Sequence, residues 1–268
     1  MPKLPIVICI ILVLCLWPVG ARTWIVGNDA LATHKSIGEA VSAASAGDTV
    51  YMKSGVYNEE VTINKKIAIK PLTGEKGTIL LDGSNKETGI TIAASGCSIE
   101  GLTFKNFSKA GIMIQSNDNT IKNNQFISDK PGLMIQGSSN NIIERNSMRD
   151  CVTGVVLWRG ASHNKISNNN IEGGIASITL KGAGENVVTN NALSNSGAGV
   201  ALENSSAVAV SRNIIKSGTN GIIIYNSSDC NLSDNIEWGN KRAVYVLNTT
   251  RTELYNESIK DGILGIMI

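Results

Sequence analysis

The sequence predicts an all-β fold: a single-stranded parallel β-helix (a solenoid) of about 22 residues per coil, with a short N-terminal capping helix. Three observations predict it. A unit of about 22 residues recurs in register through most of the chain, as in "NVVTNNALSNSGAGVALENSSA" and its neighbours. Each unit carries short runs of alternating apolar residues, such as "GIMIQ", "GLMIQ", "GVALE" and "GIIIY". No stretch inside a unit is long enough for a helix, so period-two alternation means strands.

The first element is a processing segment, residues 1–21. Lys3 gives a positive start, "LPIVICIILVLCLW" an apolar run, and Val19 and Ala21 small residues at signal-peptidase spacing. Cleavage is expected after Ala21, which makes the protein extracytoplasmic: periplasmic, secreted or at the cell surface. The run is shorter than the roughly 20 apolar residues a membrane span needs and ends at Pro18 and Gly20.

Residues 22–96 form the cap and first irregular coils. "SIGEAVSAASAG" holds a capping box, Ser36 with Glu39, and places Ile37, Ala40, Val41 and Ala44 on one helical face, with Gly47 as its stop. A helix there would cover the exposed end of the solenoid core. "DTVYMKSGVY", "EVTI", "KIAIK" and "TILLDG" read as the irregular coils.

Residues 97–268 are the regular repeats, one domain with residues 22–96. Their apolar anchors are Ile99, Ile121, Ile143, Ile166, Val188, Val210, Leu232 and Leu254, spaced 22 apart except for one step of 23. Three residues past the anchor stand Asn124, Asn146, Asn169, Asn191, Asn213 and Asn235. Two residues before it stand Asn119, Asn141, Asn164 and Asn186. Asn tolerates left-handed turn geometry, and its amide bonds the backbone or the Asn stacked one coil away, so both columns read as structural ladders. The chain stops on "GILGIMI" without a polar cap, which suggests self-association through the last coil, a partner there, or further sequence.

Charge is nearly balanced, 24 Lys plus Arg against 22 Asp plus Glu, so no basic field points to nucleic acid. After processing, Cys97, Cys151 and Cys230 remain, an odd number that argues against a full disulfide framework. Cys97 and Cys230 share a phase but lie six coils apart, roughly 29 Å, too far to bridge.

The stretch "SIGEAVSAASAGDTVYMKSGVYNEEVTINKKIAIK" resembles the entry segment of the pectin-lyase-like superfamily, and "NTIKNNQFISDKPGLMIQGSSN" resembles NosD-type β-helix repeats. The resemblance implies a right-handed parallel β-helix. It leaves activity open, because the scaffold carries polysaccharide lyases, hydrolases, esterases and epimerases as well as non-enzymes. NosD-type proteins serve in maturing a copper enzyme, so copper is a cofactor by resemblance only. The Asp clusters that hold calcium in the lyases, and the paired aspartates with arginine of pectin methylesterases, are not found. No catalytic residue carries over.

Equivalent positions of adjacent coils should stack about 4.8 Å apart, which turns register into a distance map. Glu100, Lys122 and Glu144 then form one outward column. The two glutamates suit paired carboxyls, but the lysine between them reads as an exposed charge ladder. Arg149 and Glu172 read the same way. His163 beside Glu185 is a candidate acid/base pair at a turn, with no third group to orient the imidazole. Met113 and Met134 stack as two soft ligands, with Val156 next in the column, which reads as an apolar patch. Six N-x-S/T sequons, at Asn106, Asn204, Asn226, Asn231, Asn248 and Asn256, are in part the chance product of an Asn- and Ser-rich repeat.

The most informative feature is an apolar outer face. Counting two residues past each repeat's small residue gives the outward column Met113, Met134, Val156, Ile178, Ala201, Ile223, Tyr245 and Met267. Two further on come Gln115, Gln136, Trp158, Leu180, Glu203, Tyr225 and Leu247. An outer sheet face this apolar is expected to be covered or used. Trp158, Tyr225 and Tyr245, with Met113 and Met134, are the candidate binding residues, stacking on a polysaccharide or surface glycan or anchoring an extracytoplasmic protein.

Overall fold

A computed structural model describes residues 20–268. The processing segment lies almost wholly outside the described residues, among which no helix is long and apolar enough to cross a membrane. The chain winds into a parallel solenoid of three sheets with 11, 10 and 10 strands. The anchor sheet holds Ile99, Ile121 and their successors, the second sheet holds Phe104 and Phe126, and the long sheet holds the strands Thr153–Trp158, Ala198–Glu203 and Asn220–Tyr225. The same sheets run from residues 22–96 into residues 97–268. Each inward column is one unbroken row of core: Ile99, Ile121, Ile143, Ile166, Val188, Val210 and Leu232 are all fully buried.

Sharp corners join the sheets, and they follow one rule. The residue three before the anchor, two after it, and seven after it takes a left-handed backbone in every regular coil. In the coil of Ile121 these are Asp118, Asn123 and Ser128, with φ of 60°, 56° and 58°. The ladder asparagines are therefore not the left-handed residues. They directly follow them and point inward, because the corner turns the next side chain into the core.

Buried there, each Asn satisfies the corner backbone. Asn146 Oδ1 accepts from the backbone N–H of Asn124 at 3.0 Å and from its Nδ2 at 3.2 Å, while Asn146 Nδ2 donates to the carbonyl of Ile121 at 2.9 Å. The pattern repeats through Asn169, Asn191, Asn213 and Asn235, and Glu257 takes the last place, accepting from Asn235 Nδ2 at 3.0 Å. Asn119, Asn141, Asn164 and Asn186 make the other ladder. Such a row keeps corner groups paired where water cannot reach them.

The third corner has a column of its own that the repeat pattern does not advertise: Phe107, Asp129, Cys151, Ser196 and Asn240, all buried. Asp129 Oδ1 and Asn240 Oδ1 accept from the backbone N–H one coil earlier, of Phe107 and Gly218, each at 2.8 Å. Cys151 fills the place between coils, and Cys97 and Cys230 fill the corner position that Asn holds elsewhere. All three are free, buried thiols.

The cap is the helix Ile37–Ala43, with Ser36 Oγ accepting from the backbone of Glu39 at 3.1 Å and with Ile37, Ala40 and Val41 buried against the first strands of the solenoid. Gly47 does not stop it. The helix closes at Ala44, whose N–H donates to the carbonyl of Ala40, and Gly47 serves the next turn at φ +93°. At the other end the strand Leu264–Met267 is exposed throughout.

One register expectation needs correcting. In the coil that follows Ile166, the residue equivalent to Gly154 is Ser177 and not Ala176, since Val155 pairs with Ile178 and Trp158 with Lys181. Ile178 and Leu180 are consequently core residues with no exposure, and Thr179 and Lys181 take their places outside. A small residue was a poor ruler because two stand side by side there, Ala176 and Ser177.

Candidate functional site

The outer face of the long sheet carries the candidate site. Six-residue strands make this the widest face of the solenoid, and alternation sends every second side chain outward. One outward column runs Met113, Met134, Val156, Thr179, Ala201, Ile223, Tyr245 and Met267. The next runs Gln136, Trp158, Lys181, Glu203, Tyr225 and Leu247. Trp158 and Tyr225 thus share a column three coils apart, about 14 Å. Between them Lys181 Nζ and Glu203 Oε1 form an ion pair at 2.9 Å.

The three aromatic candidates differ in how they are dressed. Arg159 sits at φ 54° at the strand's end, and this turn lays its guanidinium over the Trp158 ring, 4.2 Å from the centroid. Arg242 lies 5.5 Å from the Tyr245 centroid. Tyr225 is bare and 41% exposed, so its ring is the open platform of the face.

Met113 and Met134 are paired neighbours, but Met113 is buried, at 5% exposure, while remaining outside the core cluster. Copper, which the resemblance implies, does not fit these residues. The column continues with Val156, each cysteine stands alone, and no three His, Cys, Asp or Glu side chains converge among the described residues.

Beside Tyr225 lies a feature that reading single sequons did not reveal. Asn204-Ser205-Ser206, Asn226-Ser227-Ser228 and Asn248-Thr249-Thr250 occupy the same turn of three successive coils, and all of these residues but Thr249 line an open groove of about 400 Å³. The asparagines are left-handed, with φ of 49°, 48° and 51°, so their amides stand at the surface. Amides and hydroxyls stacked next to an exposed ring supply hydrogen bonds and an apolar platform together. The signal was available as three N-[ST]-[ST] triplets 22 residues apart.

The same turn carries charge. Arg251 grips Asp229 through two hydrogen bonds, and that contact holds the Asp229 carboxyl below its usual range. Earlier in the same column, with Ala207 between the two pairs, His163 Nε2 and Glu185 Oε2 meet at 2.9 Å, both side chains exposed and both residues left-handed. The charge columns are ladders as well. Lys122 stands between Glu100 and Glu144 in register and pairs with Glu100 at 3.5 Å, and Arg149 lies opposite Glu172 but pairs with Asp150.

These features define a class, a parallel β-solenoid with an aromatic column and a polar turn ladder on one side. The chain belongs to the right-handed β-helix family: the family model for the right-handed β-helix region matches residues 79–236 and 158–259. No curated protein matches it. Among solved structures it is similar to an alginate lyase from a Paenibacillus species, with a TM-score of 0.69 and 15% identity over 83% of this chain and 96% of that one. It is also similar to the DFA-IIIase of Arthrobacter chlorophenolicus (0.63, 12% identity, 87% and 84% covered). A third is the enzymatically active domain of tailspike protein 2 from bacteriophage CBA120 (0.68, 10% identity, 86% and 43% covered). At such identities the likeness shows the fold alone.

Proposed function

We propose that this protein is an exported, non-catalytic β-helix that binds an extended saccharide along the outer face of its long sheet. The observation that carries the reading is the Trp158–Tyr225 column with the Asn204, Asn226 and Asn248 turn beside it. The turn groups repeat about every 4.8 Å, close to the length of one sugar in an extended glycan, and the two rings stand three such repeats apart, so hydrogen-bonding groups recur in step with a polymer that the rings can flank. Export rests on the processing segment. The named activities of the similar structures, alginate lyase and DFA-IIIase among them, support saccharide as the ligand class in general.

The test is a glycan array probed with the wild type and with Trp158→Ala and Tyr225→Ala. Binding that falls in both variants while melting temperature holds supports the reading. Binding to a protein partner only, or glycan binding untouched by either substitution, overturns it.

A second reading, a polysaccharide-active enzyme, is favoured by one contact, His163 with Glu185 at 2.9 Å. In that case the pair supplies the acid and base, and His163→Ala abolishes turnover of uronic-acid polymers. Turnover that survives His163→Ala removes the pair from consideration.

A further inference from the structure

On the second sheet, well away from the aromatic column just described, an exposed tryptophan is held between two lysines. Trp238 is 54% exposed, at the end of the strand Ile236–Trp238. Register places Lys216 directly beside it on the preceding coil and Lys260 on the following one. The outward column they occupy is otherwise polar or aliphatic, running Lys105, Ile127, Arg149, Glu172 and Ser194 before Lys216, so packing gives no reason for an indole there.

The ring is fixed rather than free. Its Nε1–H donates to Asp261 Oδ2 at 2.6 Å, which engages that carboxylate and sets the ring's orientation. Asn195, Lys216, Ser217, Trp238 and Gly239 line an open hollow of about 370 Å³ on one side of it. Gly239, at φ 66° with open space where a Cβ would stand, keeps the rim low. The neighbouring outward column adds Ile214 and Ile236, 47% and 41% exposed.

Both neighbours of the ring in this column are cations. Several other stacked cations meet an acid on the adjacent coil: Lys122 with Glu100, Lys181 with Glu203, Lys109 with Glu87 and Arg251 with Asp229. Neither Lys216 nor Lys260 is in an ion pair among the described residues. Two unpaired ammonium groups, about 4.8 Å to either side of an oriented aromatic face, complement a ring that carries a negative charge.

We infer that Trp238, Lys216 and Lys260 form a second binding site, one that takes an acidic sugar. The indole stacks on the pyranose ring, the lysines meet its carboxylate and that of the next unit, and Ile214 and Ile236 contact the apolar edges. The site shares no residue with the long-sheet column, so either can fail alone.

The experiment is titration calorimetry of the whole processed chain with an oligogalacturonate, and with the same oligomer after reduction of its carboxyls. Wild type is expected to bind the acidic form, more weakly as salt is raised, and the neutral form by roughly tenfold or more less tightly. Trp238→Ala, and separately Lys216→Gln with Lys260→Gln, should each lower affinity by roughly tenfold or more. Trp158→Ala with Tyr225→Ala should leave it unchanged. These are exposed positions, and an unaltered melting temperature verifies that each variant folds. No binding of the oligogalacturonate, equal binding of the neutral oligomer, or full affinity in Trp238→Ala overturns the inference. Loss through Trp158→Ala with Tyr225→Ala alone assigns the ligand to the long sheet and overturns it too.

Discussion

Gly221 and Glu237 occupy one volume: a Cβ added to Gly221 would stand 1.8 Å from Glu237 Oε2. The column of Glu237 is otherwise apolar, with Phe104, Phe126, Met148, Ile171, Leu193 and Ile215 before it, and Glu237 has no exposure at all. Oε2 accepts from Asn240 Nδ2 at 2.6 Å, and Oε1 has no partner among the described residues. Gly221→Ala should destabilise the protein by about 1–3 kcal/mol or more, as overpacking does. Glu237→Ala added to Gly221→Ala should recover part of that loss in a denaturant titration. Additive effects in the double variant would refute the shared volume.

The same carboxyl makes stability depend on pH. Burial, with the nearby Glu257 carboxyl adding to it, pushes Glu237 up to about 9, and burial pushes Asp129 up to about 7. Raised values mean that the folded state holds protons that the unfolded chain has released. The contribution is fully present below the ordinary carboxyl range and is lost as pH climbs, by about 1.4 kcal/mol per pH unit for each group. For Glu237 the window runs from 4.5 to about 9, and for Asp129 from 3.8 to about 7. Melting temperature should therefore fall from acid to mildly alkaline pH, and Glu237→Gln should flatten the upper part of that decline. A wild-type melting temperature that rises over the range would contradict the assignment.

The Asn ladders bear on stability through the groups they satisfy. Asn169→Ala removes the acceptor for both the backbone N–H and the Nδ2 of Asn146, and the donor to the carbonyl of Ile143. Each buried group left unpaired costs roughly 1–3 kcal/mol. Asn123→Ala, at the exposed left-handed corner beside its own ladder residue, should cost less. Urea midpoints of the two variants check the order, and equal losses would deny the ladder its role.

The thiols should be silent in the folded protein. Burial pushes Cys151 up to about 12 and raises Cys97 and Cys230, and the thiolate is the reactive form. An aromatic disulfide reagent should label none of the three in native buffer and all three in denaturant. Rapid native labelling of any would mean that its coil opens.

How much was legible in the sequence varies by position. The anchors and both Asn ladders were, because in a solenoid each contact repeats at a fixed offset, so a column in space is a column of letters. The third corner was not, since Phe107, Asp129, Cys151, Ser196 and Asn240 share no residue type. Nor was the role of Trp238, which emerges only when its neighbours Lys216 and Lys260 are aligned with it. The candidate residues Trp158, Tyr225 and Tyr245 could be placed on the outer face by alternation, but not the arginines that cover two of them.

The sequence by itself determined the coil length, the stacking order and the inward rows, because burying one continuous apolar core allows a single phase for a 22-residue repeat. Only the tertiary structure decided the facing of Ile178 and Leu180, the fit of Glu237 into the space left by Gly221, and which side chains lie bare. Those outcomes depend on backbone pairing where a coil gains a residue and on volumes shared between coils, and neither is written in the identity of one residue.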